Sequence, residues 1–357
     1  MQREIFKSGL RFWQRSLSVG AVGALLAMPT QIARADEAGV SFWLPGLFGS
    51  LAAVPQTPGW SLGAVYYHTS IKDTGAVAAA KQIQIGRFSP TVNVNLNANL
   101  NAQGDLMILS PTYTFATPVL GGQLAIGLTG MFGRTSVGID GMLTTGFGQF
   151  WLTRTGSISD SLTSVGDLYP IMSLKWHNGV HNWMVYATGD IPVGAYNPGR
   201  LANLGIGHGA IDGGAGYTYL NPAAGYEVSG VAGFTYNFKN PDTQYQSGID
   251  FHFDWGASKF LSKQVFVGLV GYVYQQVSDD SGGHPILGGV RSRVLGVGPQ
   301  LGYIFPVGKM HGYLNLKGYG EFDAANRPSG WNTWLTFAIS EAPPESTVAP
   351  TKHLMTK

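Results

Sequence analysis

The heptapeptide "IDFHFDW", Ile249–Trp255, is the stretch whose reading decides the fold. Ile249, Phe251, Phe253 and Trp255 alternate with Asp250, His252 and Asp254. A β-strand sends successive side chains to opposite faces, so one face here is wholly apolar and the other wholly ionisable. Soluble sandwiches also alternate, but they turn the polar face to bulk water and are rich in Lys and Glu there. This chain is not: charged residues make up 12% of its 357 positions, against about 25% in ordinary globular domains. An aromatic-rich face opposite a mixed face of acid, base and amide is the pattern of a transmembrane β-barrel, apolar toward lipid and polar toward a lumen.

Working outward, the same period of two recurs. In "YLNLKGYGEFDA", Leu314, Leu316, Gly318, Gly320 and Phe322 oppose Asn315, Lys317, Tyr319, Glu321 and Asp323. "VSGVAGFTYNFK" sets Val228, Ala232, Phe234, Tyr236 and Phe238 against Glu227, Ser229, Thr235, Asn237 and Lys239. In "WNTWLTFAI" one side holds Trp331, Thr333, Leu335, Phe337 and Ile339. Short turn signals at 120–122, 177–182, 221–225, 260–264 and 306–312 alternate with longer polar or Gly-rich stretches at 134–164, 193–213, 240–247, 278–289 and 324–330. That asymmetry is the one between periplasmic turns and extracellular loops. The expected fold is all-β: an antiparallel transmembrane β-barrel over 59–340. Twelve strands fall near 59–69, 104–117, 121–134, 165–177, 182–192, 214–221, 225–239, 248–259, 264–277, 291–305, 312–324 and 331–340.

"VNVNLNANLNAQ", Val92–Gln103, alternates apolar residues with Asn93, Asn95, Asn97, Asn99, Asn101 and Gln103. Asn is a poor strand former, so propensity and periodicity disagree. The reading adopted is the outer, protruding part of the second strand, its amides lining the mouth. Two alternatives stay open: an extracellular hairpin of its own, or an Asn ladder of the self-associating kind.

The ends read differently. Arg3, Lys7, Arg11 and Arg15 precede the apolar run Leu17–Met28, and Ala33-Arg34-Ala35 supplies small residues for cleavage after Ala35. This is a signal peptide over 1–35; its 12-residue core falls short of the roughly 20 apolar residues a spanning helix needs. Without it the chain keeps 17 basic and 19 acidic residues, so no basic patch suggests nucleic acid. No cysteine is present, so an exported chain gains nothing from disulfides. Residues 36–58 are apolar and broken by Pro and Gly, unsuited to a strand and too apolar to lie free. They are expected to fold into the lumen as a plug through Phe42, Trp43, Leu44, Leu47 and Phe48. Residues 341–357 read as a disordered tail.

The expected lumen lining is Asp250, His252, Asp254, Asn315, Lys317, Glu321, Asp323, Lys175 and Glu227, with charges paired across strands. No catalytic, metal or cofactor site is expected. "GWSLG" around Ser61 resembles a nucleophile elbow but opens an alternating strand with no helix behind it. "GIGHGAIDGG" (Gly205–Gly214) lacks the strand, helix and Gly-Lys-Ser/Thr of a phosphate loop and reads as an extracellular loop that folds inward. His177 and His181 flank an Asn178-Gly179 turn rather than sharing a helical face. An outer-membrane hydrolase would carry a His/Ser pair on its lipid-facing wall, whereas His252 belongs to the polar face.

The segments "DIPVGAYN", "NLGIGHG", "TQYQSGIDFHFDW", "GYVYQQVSDDSG", "GVGPQLGY" and "ANRPSGWNTWLTF" resemble a bacterial family, the MetA-pathway-of-phenol-degradation family of outer-membrane transporters. The resemblance runs from about Ser41 to Ser340 and is loosely akin to long-chain fatty-acid channels. It implies a bacterial outer-membrane channel for passive uptake of small hydrophobic or aromatic compounds. Its partners would be membrane lipid and lipopolysaccharide, the solute itself, and the outer-membrane assembly machinery. A structural or adhesive barrel without transport is the alternative.

Overall fold

The computed structural model describes residues 41–73, 92–147, 150–282 and 291–341. The leader expected over 1–35, the connection 74–91 and the tail beyond Glu341 lie outside the described residues. Among the described residues fourteen strands follow in order: β1 (Gly59–Asp73), β2 (Val92–Thr114), β3 (Gln123–Phe147), β4 (Phe150–Asn178), β5 (His181–Asp190), β6 (Ala210–Asn221), β7 (Tyr226–Asn237), β8 (Tyr245–Gln246), β9 (Asp250–Phe260), β10 (Val265–Gln276), β11 (Ser281–Gly282), β12 (Arg293–Val307), β13 (Met310–Ala325) and β14 (Ser329–Glu341). β8 and β11 form a small ribbon between loops; the other twelve form one closed antiparallel barrel, with β14 pairing back onto β1. Closure matters because a bilayer offers no water to an unpaired backbone edge.

The outer wall carries the apolar residues. Leu269, Val297, Leu301, Leu316, Trp331 and Phe337 are exposed, while Glu227, Ser229, Asp254, Gln300, Asn315 and Lys317 are buried on the inner face. This inversion of the soluble rule is stable only where hydrocarbon surrounds the barrel. At the end where the short turns lie, aromatic rings gather on the outside. Trp60 meets Tyr113 at 5.3 Å and Trp183 meets Tyr217 at 6.1 Å, centroid to centroid. Lys259 lays its stem beside them with Nζ 3.7 Å over the Tyr226 ring, as long cationic side chains do at an apolar–aqueous boundary.

Two expectations fail in the same region. Residues 134–164 are not a long loop: β3 and β4 run on as a paired ladder from Phe132–Val165 up to Phe147–Phe150. Ser, Thr and Gly dominate there, so the stretch looks loop-like in composition, yet the backbone pairing continues above the apolar belt. The second correction concerns Val92–Gln103. It belongs to β2, but its described amides do not line the mouth. The β2–β3 register is unbroken, so Asn99, Asn101 and Gln103 share the outer face with Leu109 and Tyr113, and Leu100, Leu106 and Ile108 are buried on the inner one. A strand's parity is fixed by its anchored end, and that end lies in the apolar belt.

At the loop end, a register shift between Gly130 and Phe132 marks a bulge of β4 opposite Met131. Bulges re-aim side chains; here Asp167 turns inward. Its carboxylate accepts hydrogen bonds from Gly194 N at 2.7 Å and Ile206 N at 2.8 Å, drawing the β5–β6 connection into the barrel. Gly166 beside it has no room for a side chain, since a Cβ would sit 2.5 Å from Met131. Arg200 of the same connection is bidentate to Asp160 at 2.7 and 3.1 Å, which raises the guanidinium pKa further. In the β10–β12 connection, burial raises the Asp280 carboxyl above its ordinary range although Tyr245, Gly248 and Gln276 donate to it.

Candidate functional site

The candidate site is the interior, where residues 41–58 lie against the inner wall. A chain segment inside a barrel brings backbone N–H and C=O groups that must find partners or cost several kcal/mol each, about 2–7 on transfer scales. The wall supplies them. Asp254 accepts from Gly46 N and Phe48 N, both at 3.0 Å. Glu227 accepts from Leu51 N at 2.9 Å, and Thr218 Oγ1 from Ala53 N at 3.1 Å. Lys317 Nζ donates to Gly46 O at 2.6 Å and reaches the carbonyls of Phe48 and Leu47 at 3.3 and 3.4 Å. Lys175 Nζ donates to Val54 O at 3.2 Å. Carboxylates therefore meet N–H groups and ammonium groups meet carbonyls. Four interior charges of a charge-poor chain, Asp254, Glu227, Lys317 and Lys175, are thus taken up by the backbone of residues 46–54.

Close approach is permitted by small residues. A Cβ on Gly256 would lie 2.7 Å from Ser50 N, and Gly46 takes a left-handed φ of +89° against the Tyr319 ring. Ser50 Oγ meets Ser258 Oγ at 2.7 Å and accepts from Gln300 Nε2 at 2.6 Å.

Deeper in, the contacts become aromatic. Trp43 is 2% exposed and stacks on His252 at 3.6 Å with an interplanar angle of 13°. His252 Nε2 lies 2.9 Å from Asp212 Oδ2 and 3.2 Å from the Tyr186 hydroxyl. Phe42 packs on Tyr169 at 5.7 Å and Phe48 on Tyr186 at 5.2 Å; Leu44 packs on the same cluster, which also holds Leu204 and Ile206 of the β5–β6 connection. Leu47 is different, at 41% exposed.

The remaining residues singled out from sequence sit as follows. Asp250 is buried and accepts from Asn237 at 2.8 Å. Asn315 donates to Leu301 O at 3.1 Å. Glu321 accepts from Tyr272 at 2.7 Å and from Gly330 N at 2.8 Å. Asp323 stands apart: it is exposed at the rim, with a φ of +51°, and pairs with Arg293 at 2.8 Å. The expected pairing of Asp250, His252 and Asp254 with Lys175 or Lys317 is not the pattern of these hydrogen bonds. Both lysines hold backbone carbonyls of residues 46–54, and the partner of His252 is Asp212 on β6. Asp212, Tyr186 and Thr218 were not singled out. Asp212 and Thr218 share the inner-face parity of their strand, a signal available in "AIDGGAGYTYLN" but diluted by its glycines.

Open space lies on the other side. A cavity of about 150 Å³ is lined by Phe48 and Gln56 of the segment and by Ser110, Thr112, Ala125, Ile171, Ser173, Lys175, Met184 and Tyr186 of the wall. Lys175 is the one ionisable cation in that lining.

A closed twelve-stranded barrel with a lipid-facing apolar wall and a polar, occupied interior defines a transmembrane β-barrel of the outer-membrane channel type. The chain belongs to the family described as "Putative MetA-pathway of phenol degradation", whose model matches residues 85–337. Among solved structures it is similar to the COG4313 outer membrane channel from Pseudomonas putida F1. Identity is 14%, covering 80% of this chain and 97% of that one, with a TM-score of 0.59. A Pseudomonas aeruginosa FadL homologue also matches, at 9% identity over 86% of this chain and 98% of that one, but with a TM-score of 0.36 it carries no argument. No curated protein matches the chain.

Proposed function

We propose that the protein is a passive channel for small hydrophobic or aromatic compounds, with residues 41–58 acting as a fixed plug. The observation that carries this reading is the asymmetry of the interior. The plug is hydrogen-bonded to charged side chains of β7, β9 and β13, and the free volume flanks hydroxyls and apolar groups of β2–β5. A solute passing there meets few fixed charges, so it need not be hydrated to pass. The aromatic cluster of Phe42, Trp43, Phe48 and Tyr186 offers a weakly binding surface above it, as apolar ligand sites generally do. The family's description by phenol degradation supports an aromatic solute.

Purified protein in liposomes is expected to speed the entry of a small phenol over protein-free vesicles. Deletion of residues 41–57 is expected to raise the flux of glucose, a larger and polar solute, more than that of the phenol. Phenol entry no faster than in empty vesicles would overturn the reading.

A further inference from the structure

We infer that the outer wall of β1–β4 carries a binding site for the phosphorylated sugar headgroup of an outer-leaflet glycolipid, lipopolysaccharide, centred on Lys72 and Arg134. The register places four strands side by side in rows. Tyr66, Met107, Phe132 and Val165 form the last apolar row, with Tyr66, Phe132 and Val165 exposed at 41%, 50% and 58%. The next row up is His68, Asp105, Arg134 and Thr163; then Ser70, Gln103, Ser136 and Ser161; then Lys72, Asn101, Gly138 and Ser159. The change from apolar to polar falls between the same two rows on all four strands.

The upper rows enclose a concavity of about 810 Å³ whose lining includes Lys72, Arg134, Asn101, Gln103 and the serines. Gly138 leaves its floor open, for a Cβ there would meet nothing within 4 Å. Rows are spaced about 6.7 Å apart and strands about 4.8 Å, so the polar patch measures on the order of 13 by 14 Å, the footprint of a phosphorylated disaccharide. Cations on this wall suit phosphate, and hydroxyls and amides suit sugar.

Three acids stand nearby, Asp105, Asp160 and Asp140. Asp105 accepts from Tyr66 at 2.6 Å and lies 2.7 Å from His68 Nδ1. Asp160 also lines the concavity, where Arg200 holds its carboxylate in a bidentate pair. Asp140 stands exposed one row above, opposite Asn99. A lipid rather than a free anion is favoured because the exposed apolar row lies directly beneath the cations. One molecule with acyl chains and a phosphorylated head covers both surfaces.

The test uses the folded protein, delipidated in detergent and checked by its heat-dependent gel shift. Binding is measured by native mass spectrometry with bis-phosphorylated lipid A, dephosphorylated lipid A and inorganic pyrophosphate as separate probes. Bis-phosphorylated lipid A is expected to bind, with the dephosphorylated form weaker by at least about tenfold. The Lys72→Gln/Arg134→Gln pair and, independently, Gly138→Glu are expected to lose the same factor, while Lys309→Gln in a periplasmic turn loses none. Equal binding by the variants, indifference to the phosphates, or displacement of lipid A by millimolar pyrophosphate would overturn the proposal. Release of fatty acid from the bound lipid would also overturn it, making His68 and Ser70 a hydrolytic pair instead.

Discussion

The two walls of this barrel solve different problems with the same alternating strand. On β7, β9 and β13 the inward positions are Glu227, Asp254 and Lys317, each bonded to the backbone of residues 46–51. Within the apolar belt the inward positions of β1–β3 include Val65, Tyr67, Leu106, Ile108, Ser110, Thr112 and Ala125, without a charge among them; Asp73 shares their parity only at the rim. Outside, the relation reverses. β7 and β13 present Val228, Phe234, Leu314 and Leu316, whereas β1–β4 extend past their apolar belt into rows of Ser, Asn, Gln, Lys and Arg. Charge in a membrane barrel is thus found where a polar group needs a partner, and it does not by itself mark an aqueous path.

The contrast can be broken most severely at Asp254. Asp254→Ala leaves Gly46 N and Phe48 N without their acceptor and Lys317 without its nearby counter-charge. Removing one partner of a buried charged contact costs about 3–5 kcal/mol, so the plug should detach. Single-channel conductance in planar bilayers is expected to rise severalfold, with a lower unfolding temperature. Trp43→Ala comes next, since truncating a buried Trp costs about 3–5 kcal/mol when the surroundings cannot collapse. The stack on His252 would be lost, but the hydrogen bonds of residues 46–54 would remain. A smaller conductance increase is expected, with frequent closures.

On the wall that lines the cavity, where Lys175 is the one ionisable cation, the sign reverses. Ser173→Phe places a ring in the 150 Å³ cavity, where overpacking costs about 1–3 kcal/mol. Phenol flux should fall several-fold while the heat-dependent gel shift is retained. The smallest effect is expected outside: Asn101→Asp should leave the channel's ion selectivity unchanged, because that residue faces away from the lumen. A shift toward cations in reversal potential would return the amides to the mouth.

How much of this was legible beforehand follows from the same contrast. The strands of the apolar belt were readable because lipid and lumen impose opposite chemistries on alternate residues, as in Asp250, His252 and Asp254. The twelve-strand closure followed from alternating short and long connections. Above the belt the outer face turns polar, so "GRTSVGIDGMLTTG" in β3 sets Arg134, Ser136 and Asp140 where lipid-facing apolar residues would stand, and its Gly, Ser and Thr make it read as a loop. The Asn-rich strand misled for a related reason: its alternation is strong, but which face is inward depends on Leu106 and Ile108 lower down. Inside, the residues that touch the plug were recognisable as inward-facing. Their partners were not, because a backbone carbonyl in a distant segment leaves no mark on the sequence. The outward His68–Asp105 pair escaped notice because each lies in a different strand and neither sits in a recognisable motif.

The central claim is that solute passes beside a plug that stays docked. The chain has no native cysteine, and Ser50 Oγ and Ser258 Oγ are 2.7 Å apart, so a Ser50→Cys/Ser258→Cys variant places its thiols within bonding reach. Phenol flux through the oxidised variant in liposomes is the decisive measurement. The account predicts that the cross-link forms and that flux matches that of the reduced protein. A locked protein that no longer admits phenol, or thiols that do not join, would contradict it.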